Sequence, residues 1–211
     1  MKILMLIGVF FLLQNNIKYE SSRKNKMNYE INQEGTWLDG ARIVLSPNCD
    51  TRPLNTDIDL LVIHGISLPP KEYGGGYIDK FFTNTIDPDA HPYFMEIKEL
   101  RVSSHLLIDR QGIVTQYVPF DMRAWHAGES SFDGRINCND YSIGIELEGC
   151  DEEKYCDSQY STLVKITESI CKRWRKIQKD RIVGHSDIAP DRKTDPGPFF
   201  DMNYYFSLLK L

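Results

Sequence analysis

Near the C-terminus, the fifteen residues "GHSDIAPDRKTDPGP", Gly184 to Pro198, hold one imidazole (His185), three carboxylates (Asp187, Asp191, Asp195) and two cations (Arg192, Lys193). The prolines and glycines between them argue for a loop, and loops held by a rigid scaffold are where working side chains concentrate. His185 follows a short β-rich run, "RIV", much as His64 follows another, "LLVI". These two imidazoles, with Asp195 from a loop stiffened by Pro190, Pro196 and Pro198, make a three-ligand set for zinc. A tetrahedral ion would then keep its fourth position for water, as in hydrolytic rather than structural sites. HExxH and paired-cysteine zinc signatures are absent.

A zinc hydrolase also needs a proton acceptor and a cation for the developing oxyanion. The segment "SIGIELEG", Ser142 to Gly149, alternates Ile143, Ile145 and Leu147 with Gly144, Glu146 and Glu148. It reads as a strand with one apolar face and one face carrying two carboxylates. Either glutamate could be the base, and the residues alone do not choose between them. Lys193, two positions before Asp195, is the candidate cation.

The elements that must position these groups are short. "DIDLLVIHGI" (57–66) reads as a buried strand ending at His64, and "IDKFFTN" as a short helix after the "YGGGY" cluster. "TIDPDAHPYF" reads as a long surface loop shaping a groove. Residues 103–119 form two β-rich runs around Asp109–Gly112, a hairpin connection. The Gly-, Ser- and Asn-rich stretch 123–141 should be irregular. Residues 158–176 place Leu163, Ile166, Ile170 and Trp174 at helical spacing with basic residues at the end. A terminal helix closes the chain. Strands interleave with helices, which predicts a single α/β domain with a central mixed sheet flanked by helices.

With 211 residues, 41% hydrophobic and 26% charged, the chain suits one domain with a substantial core. The net charge of −5 argues against nucleic-acid binding, which calls for a basic stripe. Five scattered cysteines, an odd number, suit free thiols in a reducing compartment. Residues 1–26 stand apart. "MKILMLIGVFFLL" has the length of a signal-peptide apolar region, but the polar, basic stretch after it offers no small-residue cleavage site. The domain is expected over residues 27–211, with 1–26 a leader outside the fold.

Four stretches, "LLVIHGISLPPKEYGGGYIDKFFTNTIDPDAHPYF", "LRVSSHLLIDRQGIVTQYVPFDMRAWHAGESSFDGR", "CNDYSIGIELEG" and "GHSDIAPDRKTDPGPFFD", together resemble the AmpD-type N-acetylmuramoyl-L-alanine amidases. These belong to the zinc amidase superfamily that includes the peptidoglycan recognition proteins. The resemblance runs from about Glu34 to the C-terminus in the same order. It implies one zinc ion on His64, His185 and Asp195, Glu146 rather than Glu148 as proton acceptor, and Lys193 as transition-state stabiliser. It also implies a small-molecule substrate, 1,6-anhydro-N-acetylmuramyl peptides from cell-wall recycling, cleaved between the lactyl group and L-alanine. A cytoplasmic monomer without nucleic-acid or stable membrane partners is expected. A periplasmic or membrane-anchored enzyme is the alternative if residues 1–13 act as a signal.

Arg101 is a candidate for a substrate carboxylate, since guanidinium suits bidentate recognition. Trp125 and His126 of "RAWHAG" match a motif shared widely in the superfamily and are expected to contact substrate. His91 and His105 are left structural. Two positions depart from the family pattern: Gly65, where many relatives have Asn, and Asn137, where many have a basic residue.

Overall fold

The computed structural model describes residues 28–211, so the apolar leader and the expected domain start at Met27 lie outside the described residues. In chain order the elements are β1 (Arg42–Ile43), β2 (Cys49–Thr51), β3 (Leu60–Ile66), α1 (Tyr77–Phe82), α2 (Pro92–Ile97), β4 (Leu106–Ile108), β5 (Val114–Gln116), β6 (Met122–Ala124), β7 (Ser131–Phe132), β8 (Arg135–Ile136), β9 (Ser142–Glu148), α3 (Asp157–Arg173), β10 (Ile182–Gly184), α4 (His185–Ile188) and α5 (Met202–Leu208). Six strands form one mixed sheet in the order β1-β5-β4-β9-β3-β10, and two small antiparallel ribbons, β2-β6 and β7-β8, stand beside it. The expected α/β domain with a mixed sheet is therefore observed.

β3 and β9, the two seven-residue strands, pair in parallel at the sheet's centre, flanked by β10 and β4, also parallel. Both strands lie between neighbours and are buried nearly throughout, which is why "LLVI" is a continuous apolar run. β4 and β5 form the expected hairpin, closed by the Asp109 carboxylate, which accepts from the backbone N–H groups of Gln111 and Ile113.

The alternation along each strand sorts its side chains between two layers. Leu61 and Ile63 of β3, with Ile143, Ile145 and Leu147 of β9, face the core beneath α3, where they pack with Leu163, Ile166 and Ile170. α3 presents these residues at the i, i+3, i+7 spacing of one helical face. Removing a buried side chain such as Ile166 by substitution with Ala would cost about 2–5 kcal/mol. The helix runs Asp157–Arg173 rather than 158–176, and Trp174 is its C-cap. Its N-terminus is tied to the sheet by Gln159, whose Oε1 accepts from Cys156 N–H and whose Nε2 donates to the Glu148 carbonyl.

Other stretches also differ from the sequence expectation, and the expected loop Gly184–Pro198 opens with helix α4 at His185–Ile188. The long loop of residues 85–94 ends early, because Pro92 opens helix α2 and His91 caps it, its Nδ1 accepting from Tyr93 N–H. Proline at the first helical position costs no intrahelical hydrogen bond. The irregular stretch 123–141 contains the β7–β8 ribbon and a 3-10 turn at Cys138–Asp140.

Candidate active site

His64 lies on the sheet face opposite α3, in register with Glu146 on the neighbouring strand. His185 begins α4 directly after β10, and Asp195 follows ten residues later in the loop. The three side chains converge. His64 Nδ1 lies 3.0 Å from His185 Nδ1 and 3.2 Å from Asp195 Oδ2, and His185 Nδ1 lies 3.0 Å from the same carboxylate oxygen.

Hydrogen bonds around the cluster decide which nitrogens carry protons. Ser142 Oγ–H donates to the Cys138 carbonyl at 2.6 Å, so toward His126 Nε2, at 3.1 Å, it can only accept. His126 therefore carries its proton on Nε2 and turns a bare Nδ1 to His64, whose Nε2–H donates to it at 2.9 Å. His64 Nδ1 is left with a lone pair. Likewise His185 Nε2–H donates to the Ala127 carbonyl at 3.1 Å, leaving its Nδ1 bare.

Two imidazole lone pairs and a carboxylate oxygen thus face one another, an arrangement that only a cation can make favourable. A tetrahedral zinc ion with ligands at 2.0–2.1 Å separates them by about 3.3 Å, close to the triangle observed. The donor set of two imidazoles and one carboxylate suits zinc and leaves the carboxylate's other oxygen free. Burial holds His64 neutral, its pKa down at about 4, as a metal ligand requires.

Glu146 lines the same cavity, of about 290 Å³, together with His64, His185, Lys193 and Asp195. Its Oε2 is buried without a hydrogen-bond partner. Burial first and the nearby Asp195 carboxylate second push its pKa well above the usual range, while Lys193 opposes them. A carboxylate kept bare and basic beside a ligand cluster is equipped to take a proton. Lys193 is partly buried and, among the described residues, makes no ion pair. Glu148, the alternative base, is occupied elsewhere: its Oε1 accepts from Gly74 N–H and its Oε2 from Arg110 N–H, which ties two loops to the end of β9.

The other expected contacts fall differently. His126 lines the cavity but is only 8% exposed, with both ring nitrogens engaged by His64 and Ser142. Trp125 is half-buried beside Ser103, whose Oγ accepts from its backbone N–H, and it does not line the cavity. The Arg101 guanidinium is turned to the carbonyls of Lys98 and Leu100 in its own turn, though its neighbours Leu100 and Val102 do line the cavity. Gly65 is explained by Tyr155, whose hydroxyl fills the space a Cβ would take and donates to the Pro196 carbonyl beside Asp195.

An apolar wall went unnoticed in the sequence. Phe81 and Phe82 of α1 and Tyr93 and Ile97 of α2 close the side of the cavity facing the ligand cluster. The "HPYF" signal for a helix start was the clue to half of it.

The model of N-acetylmuramoyl-L-alanine amidases matches residues 54–198, which include every residue of the ligand cluster as well as Glu146 and Lys193. The chain belongs to this amidase family. It is 56% identical over 173 residues to the 1,6-anhydro-N-acetylmuramyl-L-alanine amidase AmpD of Haemophilus influenzae, covering 82% of this chain and 94% of that protein. Among solved structures, the crystal structure of a selenomethionine derivative of AmpD superposes with a TM-score of 0.80 at 55% identity, covering 82% of this chain and 97% of that one. The Escherichia coli amidase AmiD, solved in complex with the substrate anhydro-N-acetylmuramic acid-L-Ala-D-gamma-Glu-L-Lys, superposes with a TM-score of 0.54 at 28% identity, covering 74% and 60%. The mixed sheet that carries His64 and Glu146 is thus the amidase scaffold. Among the described residues, this amidase has no helix long and apolar enough to cross a membrane.

Proposed function

We propose that the protein is a zinc-dependent amidase that hydrolyses the bond between the lactyl carbonyl of 1,6-anhydro-N-acetylmuramic acid and L-alanine in muropeptides released during cell-wall recycling. The observation that carries this reading is the convergence of three bare acceptor atoms, on His64, His185 and Asp195, beside an unpartnered buried carboxylate on Glu146. The substrates of the related amidases AmpD and AmiD support the choice of muropeptide.

His64, His185 and Asp195 would hold the ion. The chemistry it supplies when bound is Lewis acidity, which polarises a carbonyl and acidifies water. Glu146 takes a proton from the attacking water on its free Oε2 and hands it to the amide nitrogen as the C–N bond breaks, so the products are a muramic carboxylate and the amine of the peptide. Lys193 holds the oxyanion that develops on the carbonyl oxygen. The wall of Phe81, Phe82, Tyr93 and Ile97 excludes water and strengthens both electrostatic contributions.

The activity is assigned to residues 27–211 acting as a monomer in the cytoplasm. Five free thiols suit a reducing compartment.

The test is incubation of purified protein with anhydro-muropeptides and, separately, with intact sacculi, with and without a chelator, followed by mass spectrometry. Free peptide and anhydro-muramic acid from the soluble substrate, lost on chelation and restored by zinc, are expected. Chelator-insensitive turnover, or cleavage of sacculi alone, would overturn the reading.

A further inference from the structure

The sequence motif around His126 and the polar face of β9 meet behind the ligand cluster. His126 is 8% exposed and sits against His64, on the side of the ring away from the cluster, and among the described residues its ring nitrogens hydrogen-bond to His64 and Ser142. Its position is built from several directions. The Asn139 side-chain oxygen accepts from the backbone N–H groups of His126 and Ala127, fixing the segment. Gly144 leaves the space in which the ring lies, since a Cβ there would stand 2.5–2.8 Å from three of its atoms. Ser142 is held by the Cys138 carbonyl at 2.6 Å and so cannot donate to the ring.

We propose that His126 is a positioning residue for the metal, and that Ser142 and Gly144 exist on β9 to seat it. Resting on the zinc reading above, the chain Cys138 carbonyl, Ser142 hydroxyl, His126, His64 fixes the proton of His64 on Nε2 and holds its Nδ1 lone pair toward the cluster. Both ring nitrogens of His126 are taken up by His64 and Ser142, so it acts through His64. Backbone carbonyls and carboxylates commonly orient ligand histidines in this way; here the partner is a second neutral imidazole, whose own tautomer is set one bond further back. Such a partner adds no negative charge behind His64, so it orients the ligand without offsetting the ion's positive charge.

Two measurements test this. Zinc affinity is measured by competition with a chromophoric chelator for the wild type, His126→Leu, His126→Gln and Ser142→Ala. Loss of the acceptor in His126→Leu is expected to weaken binding about 10–100-fold, and His126→Gln, whose amide oxygen can accept the same bond, is expected to recover part of it. Independently, two-bond 1H–15N correlation spectra of the zinc-loaded wild type are expected to show His126 protonated on Nε2 with a bare Nδ1, and that population shifted in Ser142→Ala. The spectra keep the idea testable even if His126→Leu fails to fold. Equal zinc affinity in all four proteins, or a proton on His126 Nδ1 in the zinc-loaded wild type, would overturn the positioning role alone. A wild type that binds no zinc would overturn the metal reading and this role with it.

Discussion

His64 and Glu146 are direct register partners on adjacent parallel strands, so the backbone pairing of β3 with β9 sets the distance between a metal ligand and the proposed base. The consequence is a separable defect. Glu146→Gln keeps the shape of the side chain and the strand pairing but removes the basic oxygen. Turnover is expected to fall about 10²–10⁴-fold while zinc content, read by elemental analysis, stays at one per chain. A variant with near-normal turnover would remove Glu146 from the mechanism.

Lys193 serves only the developing charge. Lys193→Met is expected to lower kcat about 10²–10³-fold with little change in KM for an anhydro-muropeptide, and Lys193→Arg to recover part of the loss. Steady-state kinetics decide it, and a defect confined to KM would argue for substrate binding instead.

Metal binding should be visible as stability. An ion held by β3, α4 and the loop after it binds only the folded chain, and about 2.7 kcal/mol is expected when free zinc exceeds Kd about 100-fold. For a domain of this size that is roughly 5–10 °C in Tm. Scanning calorimetry with zinc and with chelator should differ by this order, and the difference should vanish in His185→Ala. A zinc-dependent Tm that survives that substitution would place the ion elsewhere.

His105 gives a pH signature away from the ligands. Burial chiefly, and the adjacent Arg52 next, hold its pKa well below the ordinary histidine value. Its Nδ1 accepts from Gly144 N–H at 3.0 Å, a bond that protonation would break. The unfolded chain binds this proton near pH 6.5 and the folded chain does not, so His105 favours unfolding increasingly as pH falls below about 6.5. Glu146 acts the other way, because protonation relieves its buried charge. The comparison is therefore with His105→Asn, which keeps an acceptor for Gly144. Urea unfolding of metal-free protein at pH 7.5 and 5 should show the variant losing less stability than the wild type, by up to about 2 kcal/mol. Equal losses would mean that His105 titrates normally.

Much of this architecture was legible because local pattern and tertiary role agreed. The run "LLVI" had to be a buried strand, the 3.6-residue period of α3 marked its core face, and the crowding of Gly184–Pro198 signalled chemistry. What spacing could not supply was the far side of each residue. Glu148 and Glu146 alternate identically along β9, and only the approach of Gly74 and Arg110 makes one structural and leaves the other bare. His126 was expected to contact substrate because it belongs to the "RAWHAG" motif; the fold brings its ring behind His64, 62 residues away in sequence. Arg101 was chosen for its guanidinium, whose Nη1 donates to the Lys98 and Leu100 carbonyls of its own turn. Helix α2 was missed because two prolines and two aspartates outweighed one helix-start signal.

One strand carries the end of the tautomer chain, the seat for its ring, the base and the loop clamp at Ser142, Gly144, Glu146 and Glu148, all at alternate positions, with Ile143, Ile145 and Leu147 between them facing the core. Slipping β9 by one residue against its neighbours would turn the carboxylates under α3 and the aliphatic side chains into the cavity. Misfolded pairings are therefore penalised by the groups that do the chemistry, and a chain that has reached the correct register has assembled its proton acceptor in the same event.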